Sequence, residues 1–344
     1  MPKLYCFFCL ALYSLSGSAI EIQPYIVNGS NANLANYPSF ASLFYRNNNV
    51  YSTSSFCGAT MINNKYVLTA AHCIYGDNDL MLNTVVAPQL EDESNFLSSE
   101  QARAKAFYYP DTYVDSSSEL WRDDIAIIEL ETTLSNPDYS SLLNSTRNNN
   151  FSGADAFEAV GHGYIEGNVR GGTRLLDTDL DYMSTASCQA IYGSKLTSKH
   201  LCFSGALQGG YRNSTCSGDS GGPVYWYNGS TYIQVGITSF GPSVCGDPGI
   251  TVTSVFTDVY DYQAWINRVI NGQEDPKAYV VTSGSTRSLV NTDSGSTLQA
   301  NSTEGGGGGG SINLSIALAL LLILLVRYWL HERMQRVSYP LSHN

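Results

Sequence analysis

Three short runs, far apart in a chain of 344 residues, constrain everything else: Thr69-Ala70-Ala71-His72-Cys73, Asp123-Asp124-Ile125-Ala126-Ile127-Ile128 and Gly218-Asp219-Ser220-Gly221-Gly222-Pro223. They supply a histidine, an acid and a serine. A serine hydroxyl is a weak nucleophile at neutral pH unless an imidazole takes its proton and a carboxylate holds that imidazole in the right tautomer. A fold that uses all three must bring these runs together.

Between Ile26 and about Ile270 the chain alternates short runs rich in Val, Ile, Thr, Tyr and Phe with clusters of Asn, Gly, Ser and Asp. Tyr66 to Leu68, Ile125 to Leu130 and Ile233 to Ile237 read as strands of an all-β barrel or sandwich. Helix is scarce; the clearest candidate is Tyr260 to Ile270, where Tyr262, Trp265, Ile266 and Val269 recur at helical spacing. The formal net charge is -12 with only 18 Lys and Arg, which argues against a nucleic-acid surface.

The two ends read differently from the middle. Residues 1–19 have the basic start, apolar run and small-residue end of a secretory signal, with cleavage expected after Ala19. Export gives an oxidising surrounding, and removal of Cys6 and Cys9 with the signal leaves six cysteines: Cys57, Cys73, Cys188, Cys202, Cys216 and Cys245. An even number predicts disulfides, although spacing alone allows fifteen pairings. No close Cys or His pairs have metal-ligand spacing, so no metal site is expected. Residues 271–311, rich in Ser, Thr, Gly and Asn and ending near six glycines, read as a flexible stalk. Residues 312–330 are apolar enough to be read as a transmembrane segment, and 331–344 form a basic tail expected on the cytoplasmic side.

The order His72, Asp124, Ser220 and the runs around them resemble the chymotrypsin/trypsin family of serine endopeptidases. The resemblance covers residues 26–270 and implies two six-stranded antiparallel β-barrels with a short C-terminal helix and the active site in the cleft between the barrels. It implies protein or peptide substrates, no cofactor, and disulfides Cys57–Cys73, Cys188–Cys202 and Cys216–Cys245. It assigns His72 as general base, Asp124 as its orienting acid and Ser220 as nucleophile, with the amides of Gly218 and Ser220 as oxyanion hole. Of two neighbouring acids it selects Asp124, and Asp123 is expected in solvent. Among the five histidines, His331 and His343 lie beyond the apolar tail segment, and His162 and His200 read as structural.

Ile26-Val27-Asn28-Gly29 resembles the mature N-terminus of the family, which makes residues 20–25 a propeptide. The freed amine of Ile26 is then expected to pair with Asp219, after cleavage behind Tyr25 by another protease or by the enzyme itself. The specificity pocket falls on Ser214, Thr215, Ser239, Gly241 and Ser254, with Ser214 as a neutral floor where trypsin-type relatives carry an aspartate. An unpaired Lys or Arg there would be costly to bury, so cleavage is expected after large apolar or aromatic residues. Two alternatives stay open: a register that puts Gly249 in the place of Ser254, and an inward Asp247 that restores a taste for Arg and Lys. A protease-fold binding module is the competing class, but such relatives lack a triad member and none is missing here. The C-terminal tail resembles a GlyGly-CTERM sorting signal, with a permanent single-span anchor as the alternative.

Overall fold

The runs of β-branched and aromatic residues become strands that close on themselves twice. The computed structural model describes residues 26–135, 139, 141–142, 151–165, 169, 171–292 and 297–299. The signal, propeptide, poly-glycine, transmembrane and tail readings lie outside these residues. Among the described residues, no helix is long and apolar enough to cross a membrane.

In chain order the strands of the first half are β1 (Ser30–Asn31), β2 (Phe40–Asn47), β3 (Val50–Tyr51), β4 (Cys57–Met61), β5 (Tyr66–Thr69), β6 (Thr84–Pro88), β7 (Ala102–Tyr108) and β8 (Ala126–Leu130). Those of the second half are β9 (Ala156–Gly161), β10 (Leu176–Met183), β11 (His200–Ser204), β12 (Leu207–Gln208), β13 (Tyr211–Arg212), β14 (Pro223–Tyr227), β15 (Tyr232–Phe240) and β16 (Ser254–Asp258). A hairpin follows, β17 (Ala278–Ser283) and β18 (Thr286–Asn291), and then β19 (Thr297–Gln299). Among the described residues three α-helices accompany them, α1 (Asn78–Asn83), α2 (Thr185–Tyr192) and α3 (Gln263–Ile270).

Strands pair in the cyclic order β2, β4, β5, β8, β7, β6 and back to β2 in the first barrel, and β9, β10, β11, β16, β15, β14 and back to β9 in the second. Every pairing within both rings is antiparallel. Closure leaves no free edge in either ring. Phe157, Phe203, Val224, Val235 and Phe256 fill the second barrel. Leu43, Met61, Leu68, Phe107 and Ile127 belong to the core of the first, against which Trp265, Ile266 and Val269 of α3 also pack. The helix starts later than its periodicity predicts: Val259–Tyr262 is a 3-10 turn, capped by the Asp258 side chain, which accepts from the Tyr260 N–H at 2.9 Å.

The stalk expected from residue 271 is corrected over 278–291. β17 pairs with β7 and with β18, joined by the two-residue turn Gly284–Ser285. Its period-two pattern is the reason: Ala278 and Val280 are buried while Tyr279 and Val281 face out, and Leu289 of β18 is wholly buried. All three inward residues join the core of the first barrel. Arg287 ties the hairpin down, pairing with Glu131 and donating to the Ala104 carbonyl at 3.0 Å. Truncating Leu289 to Ala is expected to lower unfolding free energy by roughly 2–5 kcal/mol. The exposed Val281→Ala should cost well under half as much, with denaturant titration as the measurement.

Candidate active site

Register in the first barrel brings two of the three runs together. Thr69 at the end of β5 lies opposite Ala126 at the start of β8, so the turn carrying His72 and the segment carrying Asp124 leave the sheet at the same end. Asp124 is 1 % exposed. Its Oδ2 lies 2.8 Å from His72 Nδ1 and its Oδ1 accepts from the His72 backbone N–H at 2.9 Å. The second barrel completes the clasp: Ser239 Oγ of β15 donates to Asp124 Oδ2 at 2.5 Å, and Thr257 Oγ1 of β16 donates to the Asp124 carbonyl at 2.8 Å. Burial disfavours the imidazolium of His72, but the charge and hydrogen bond of Asp124, with a smaller contribution from Asp115, outweigh it and hold the ring above its ordinary value.

Ser220 sits in a tight loop before β14. Its carbonyl accepts from Gly58 N–H at 2.8 Å, and the neighbouring Gly221 N–H donates to the Thr238 carbonyl at 2.9 Å, which ties the serine loop to β4 and β15. Gly218 adopts φ +101°, a left-handed conformation that side chains rarely tolerate. His72 and Ser220 line one cleft of about 320 Å³ together with Thr215, Ser217, Ser239 and Gly241. Disulfides brace the surroundings: Cys57–Cys73 beside His72, Cys216–Cys245 in the cleft lining, and Cys188–Cys202 joining α2 to β11.

Of the expected pocket residues, Thr215, Ser239 and Gly241 line the cleft, whereas Ser214 and Ser254 are fully buried outside its lining. Ser254 Oγ accepts from the Thr215 N–H at 2.9 Å and lies 3.0 Å from Thr215 Oγ1. Of the two register candidates, Ser254 is in β16 and Gly249 is an exposed loop residue, and neither lines the cleft. Asp247 turns onto its own loop, accepting from Gly249 N–H at 2.8 Å.

Asp219 is 0 % exposed and accepts from Gly163 N–H at 2.7 Å and Cys216 N–H at 2.8 Å. A Cβ on Gly161 or Gly163 would overlap its carboxylate, so glycine is required at both. Burial pushes its carboxyl up to about 7 against those two donors, with the charge of Glu93 adding to the rise. Ile26 is also fully buried, with φ 57°, and Val27 N–H donates to the Ser214 carbonyl at 3.1 Å.

One expectation is overturned: Asp123 is not in solvent but 4 % exposed. Its Oδ1 accepts from Tyr262 Oη at 2.5 Å and from Lys199 Nζ at 2.7 Å. Two distant residues converge on it, which adjacency to Asp124 could not show. His162 and His200 are buried, as their structural reading requires; burial pushes His162 down to about 4 and also lowers His200. Sequence reasoning also missed Trp121, whose ring lies 5.5 Å from that of Phe240 at the cleft. Leu120 and Trp121 both have positive φ, 52° and 43°. This strain costs about 1 kcal/mol or more per residue, and the only sequence sign of it is a tryptophan just before the Asp run.

A cleft between two six-stranded barrels, with a carboxylate-bound imidazole and a loop serine on its walls, defines the class: a serine endopeptidase, a hydrolase of chymotrypsin-like fold. A trypsin family model matches residues 26–266, and the chain belongs to that family. It is 31 % identical over 258 residues to thrombin-like enzyme saxthrombin of Gloydius intermedius, spanning 72 % of this chain and 88 % of that one. Bradykinin-releasing enzyme KR-E-1 of Gloydius ussuriensis is 30 % identical over 263 residues, with 73 % and 98 % covered. Among solved structures, the secreted serine protease VesC from Vibrio cholerae shares the fold, with a TM-score of 0.57 and 21 % identity over 76 % of this chain. This chain spans 54 % of that longer one.

The His72–Asp124 geometry makes a titration prediction. In Ser220→Ala protein, the NMR midpoint of His72 should lie above the ordinary imidazole value of about 6.5. In Asp124→Asn that carboxylate's charge is gone and only the smaller contribution of Asp115 opposes burial, so the midpoint should drop below it.

Proposed function

We propose that the chain is an exported endopeptidase in which His72, Asp124 and Ser220 act as a triad, cutting after large apolar or aromatic residues. His72 takes the Ser220 proton as the hydroxyl attacks the scissile carbonyl, then returns it to the leaving amine. Asp124 fixes the tautomer that leaves Nε2 as the base and offsets the imidazolium charge. The amides of Gly218 and Ser220 donate to the oxyanion, whose charge exists only in the transition state and its neighbours. The observation that carries the reading is the buried Asp124 carboxylate 2.8 Å from His72 Nδ1, in the cleft that Ser220 lines.

The specificity half rests on the cleft wall. Among the described lining residues none is acidic, while Trp121 and Phe240 add aromatic surface. A cationic side chain entering there would lose hydration without gaining a partner. Asp247, the one residue that favoured a basic preference, is bonded to its own loop.

Activation follows from the buried acid. Asp219, whose described partners are backbone donors, carries a raised pKa, and a freed Ile26 amine would supply a cation. Cleavage behind Tyr25 is thus read as the step that makes the ionised form of Asp219 comfortable and fixes the Gly218 and Ser220 amides. The secretory signal at 1–19 and the secreted relative VesC support export, and the apolar 312–330 run supports attachment to a membrane, at least in transit.

The deciding experiment is digestion of a mixed peptide library by protein beginning at Ile26, with a Ser220→Ala control, read by mass spectrometry. Cuts after Phe, Tyr or Leu that vanish in the control are expected. Cuts after Arg or Lys would refute the pocket reading, and no Ser220-dependent cuts would favour the binding-module class.

A further inference from the structure

The stretch from Ser117 to Asp123, just ahead of the orienting acid, has a strained backbone. Leu120, Trp121 and Asp123 all adopt positive φ, 52°, 43° and 60°, a conformation uncommon for residues with a Cβ. Asp123 also opens a three-residue turn with Asp124 at its centre: the Asp123 carbonyl accepts from Ile125 N–H at 2.9 Å. The setting of Asp124 is therefore tied to whatever fixes Asp123.

Two lysines from the loop between α2 and β11, in the second barrel, grip this stretch. Lys195 Nζ donates to the Ser118 carbonyl at 2.9 Å and pairs with Glu119 at 2.6 Å. Lys199 Nζ donates to Asp123 Oδ1 at 2.7 Å, and Tyr262 Oη, from the turn before α3, donates to the same oxygen at 2.5 Å. Lys199 also lies 5.2 Å from the centre of the Tyr262 ring, close enough for cation–π attraction. Asp123 is 4 % exposed, and a carboxylate so enclosed needs compensation. Lys199, Thr112 and Tyr262 hold its carboxyl below the ordinary range against the effect of burial, and of these Lys199 carries the positive charge. Asp123, Lys199 and Tyr262 all stay outside the cleft lining.

We propose that Lys199 and Tyr262 are positioning residues for catalysis: by fixing the Asp123 carboxylate they hold the turn that aims Asp124 at His72. The contacts run from Lys199 and Tyr262 to Asp123, through one peptide bond to Asp124, and on to His72 Nδ1 at 2.8 Å. Removing Lys199 leaves a buried charge without its cation, which the Asp123 backbone relieves by moving. Asp124 is held as well by Ser239 and Thr257, so the loss misplaces its carboxylate and does not expel it. A misplacement of about 1 Å can cost roughly 100-fold in rate, and a smaller shift correspondingly less. The proposal deepens the reading of His72, Asp124 and Ser220 as a triad and rests on it.

The test uses full-length protein cut to begin at Ile26 and a peptide p-nitroanilide with Phe before the scissile bond. Lys199→Met should lower kcat about tenfold and Tyr262→Phe about threefold, each with KM within about twofold because neither residue lines the cleft. Lys199→Arg keeps the charge and should recover most of the loss. In the Asp123→Asn background no buried charge is left unpaired, so Lys199→Met should there cost less than about twofold. The NMR midpoint of His72 in Ser220→Ala protein supplies a second readout, and it should fall in Lys199→Met and in Tyr262→Phe as the Asp124 bond loosens. Loss of the lysine charge alone acts in the opposite sense, because an imidazolium forms more easily with one cation fewer nearby. Tyr262→Phe changes no charge. A midpoint that stays or rises in both variants overturns the proposal. So does kcat within about twofold of the parent in both, or a Lys199→Met loss undiminished in the Asp123→Asn background. Tyr262→Phe carries the test if Lys199→Met does not fold. Failure of the protein with Ser220 and Lys199 in place to cut the p-nitroanilide counts against the triad or pocket reading, and the His72 midpoint then judges the Asp123 anchor alone.

Discussion

The buried carboxylate of Asp124 is the point at which the two barrels become one enzyme. From the first barrel His72 gives it a backbone N–H and a ring nitrogen. From the second, Ser239 Oγ bonds the carboxylate and Thr257 Oγ1 bonds the same residue's carbonyl. A carboxylate without these donors could not stay at 1 % exposure, because burying an unpaired charge is among the largest costs in a fold. The relation runs both ways. The charge that takes three donors is what orients His72 and holds its ring above the usual imidazole value, and the strand that supplies the Ser239 donor leads into the cleft wall at Ser239 and Gly241.

Asp219 repeats the logic with a different outcome. It is wholly buried, but the described partners of its carboxylate are two backbone N–H groups. Those donors belong to Gly163 and Cys216, so the loop that carries the Cys216–Cys245 bond and the loop after β9 are both organised around one acid. The described partners of the Asp124 carboxylate include side chains of both barrels, whereas those of Asp219 are backbone groups. That difference separates a part of the site built by folding alone from a part whose geometry is read as waiting on the Ile26 amine.

Much of this was legible in the sequence because the chemistry tolerates few substitutes. The three runs named His72, Asp124 and Ser220, the alternating β-rich segments pointed to an all-β barrel or sandwich, and the family resemblance selected the two barrels. Other features arise only from convergence. Asp123 looks like a solvated neighbour until Lys199 and Tyr262, far along the chain, are found beside it. Ser214 and Ser254 carry the right numbers for a pocket, yet both lie outside the lining, where Ser254 braces Thr215. The hairpin at 278–291 hid in a Ser- and Thr-rich stretch, because polar outward residues mask the inward Ala278, Val280 and Leu289.

The central claim is that Ser220 is a nucleophile activated by His72 and Asp124 and made competent by a free Ile26 amine. The most direct measurement is covalent labelling by an active-site-directed organophosphate, with the modified residue located by mass spectrometry in uncut protein and in protein beginning at Ile26. The account predicts near-stoichiometric label on Ser220 of the cut form, little on the uncut form, and none on cut His72→Ala. Equal labelling of cut and uncut protein would contradict the role given to Asp219, and label absent from Ser220 in the cut form would contradict the triad.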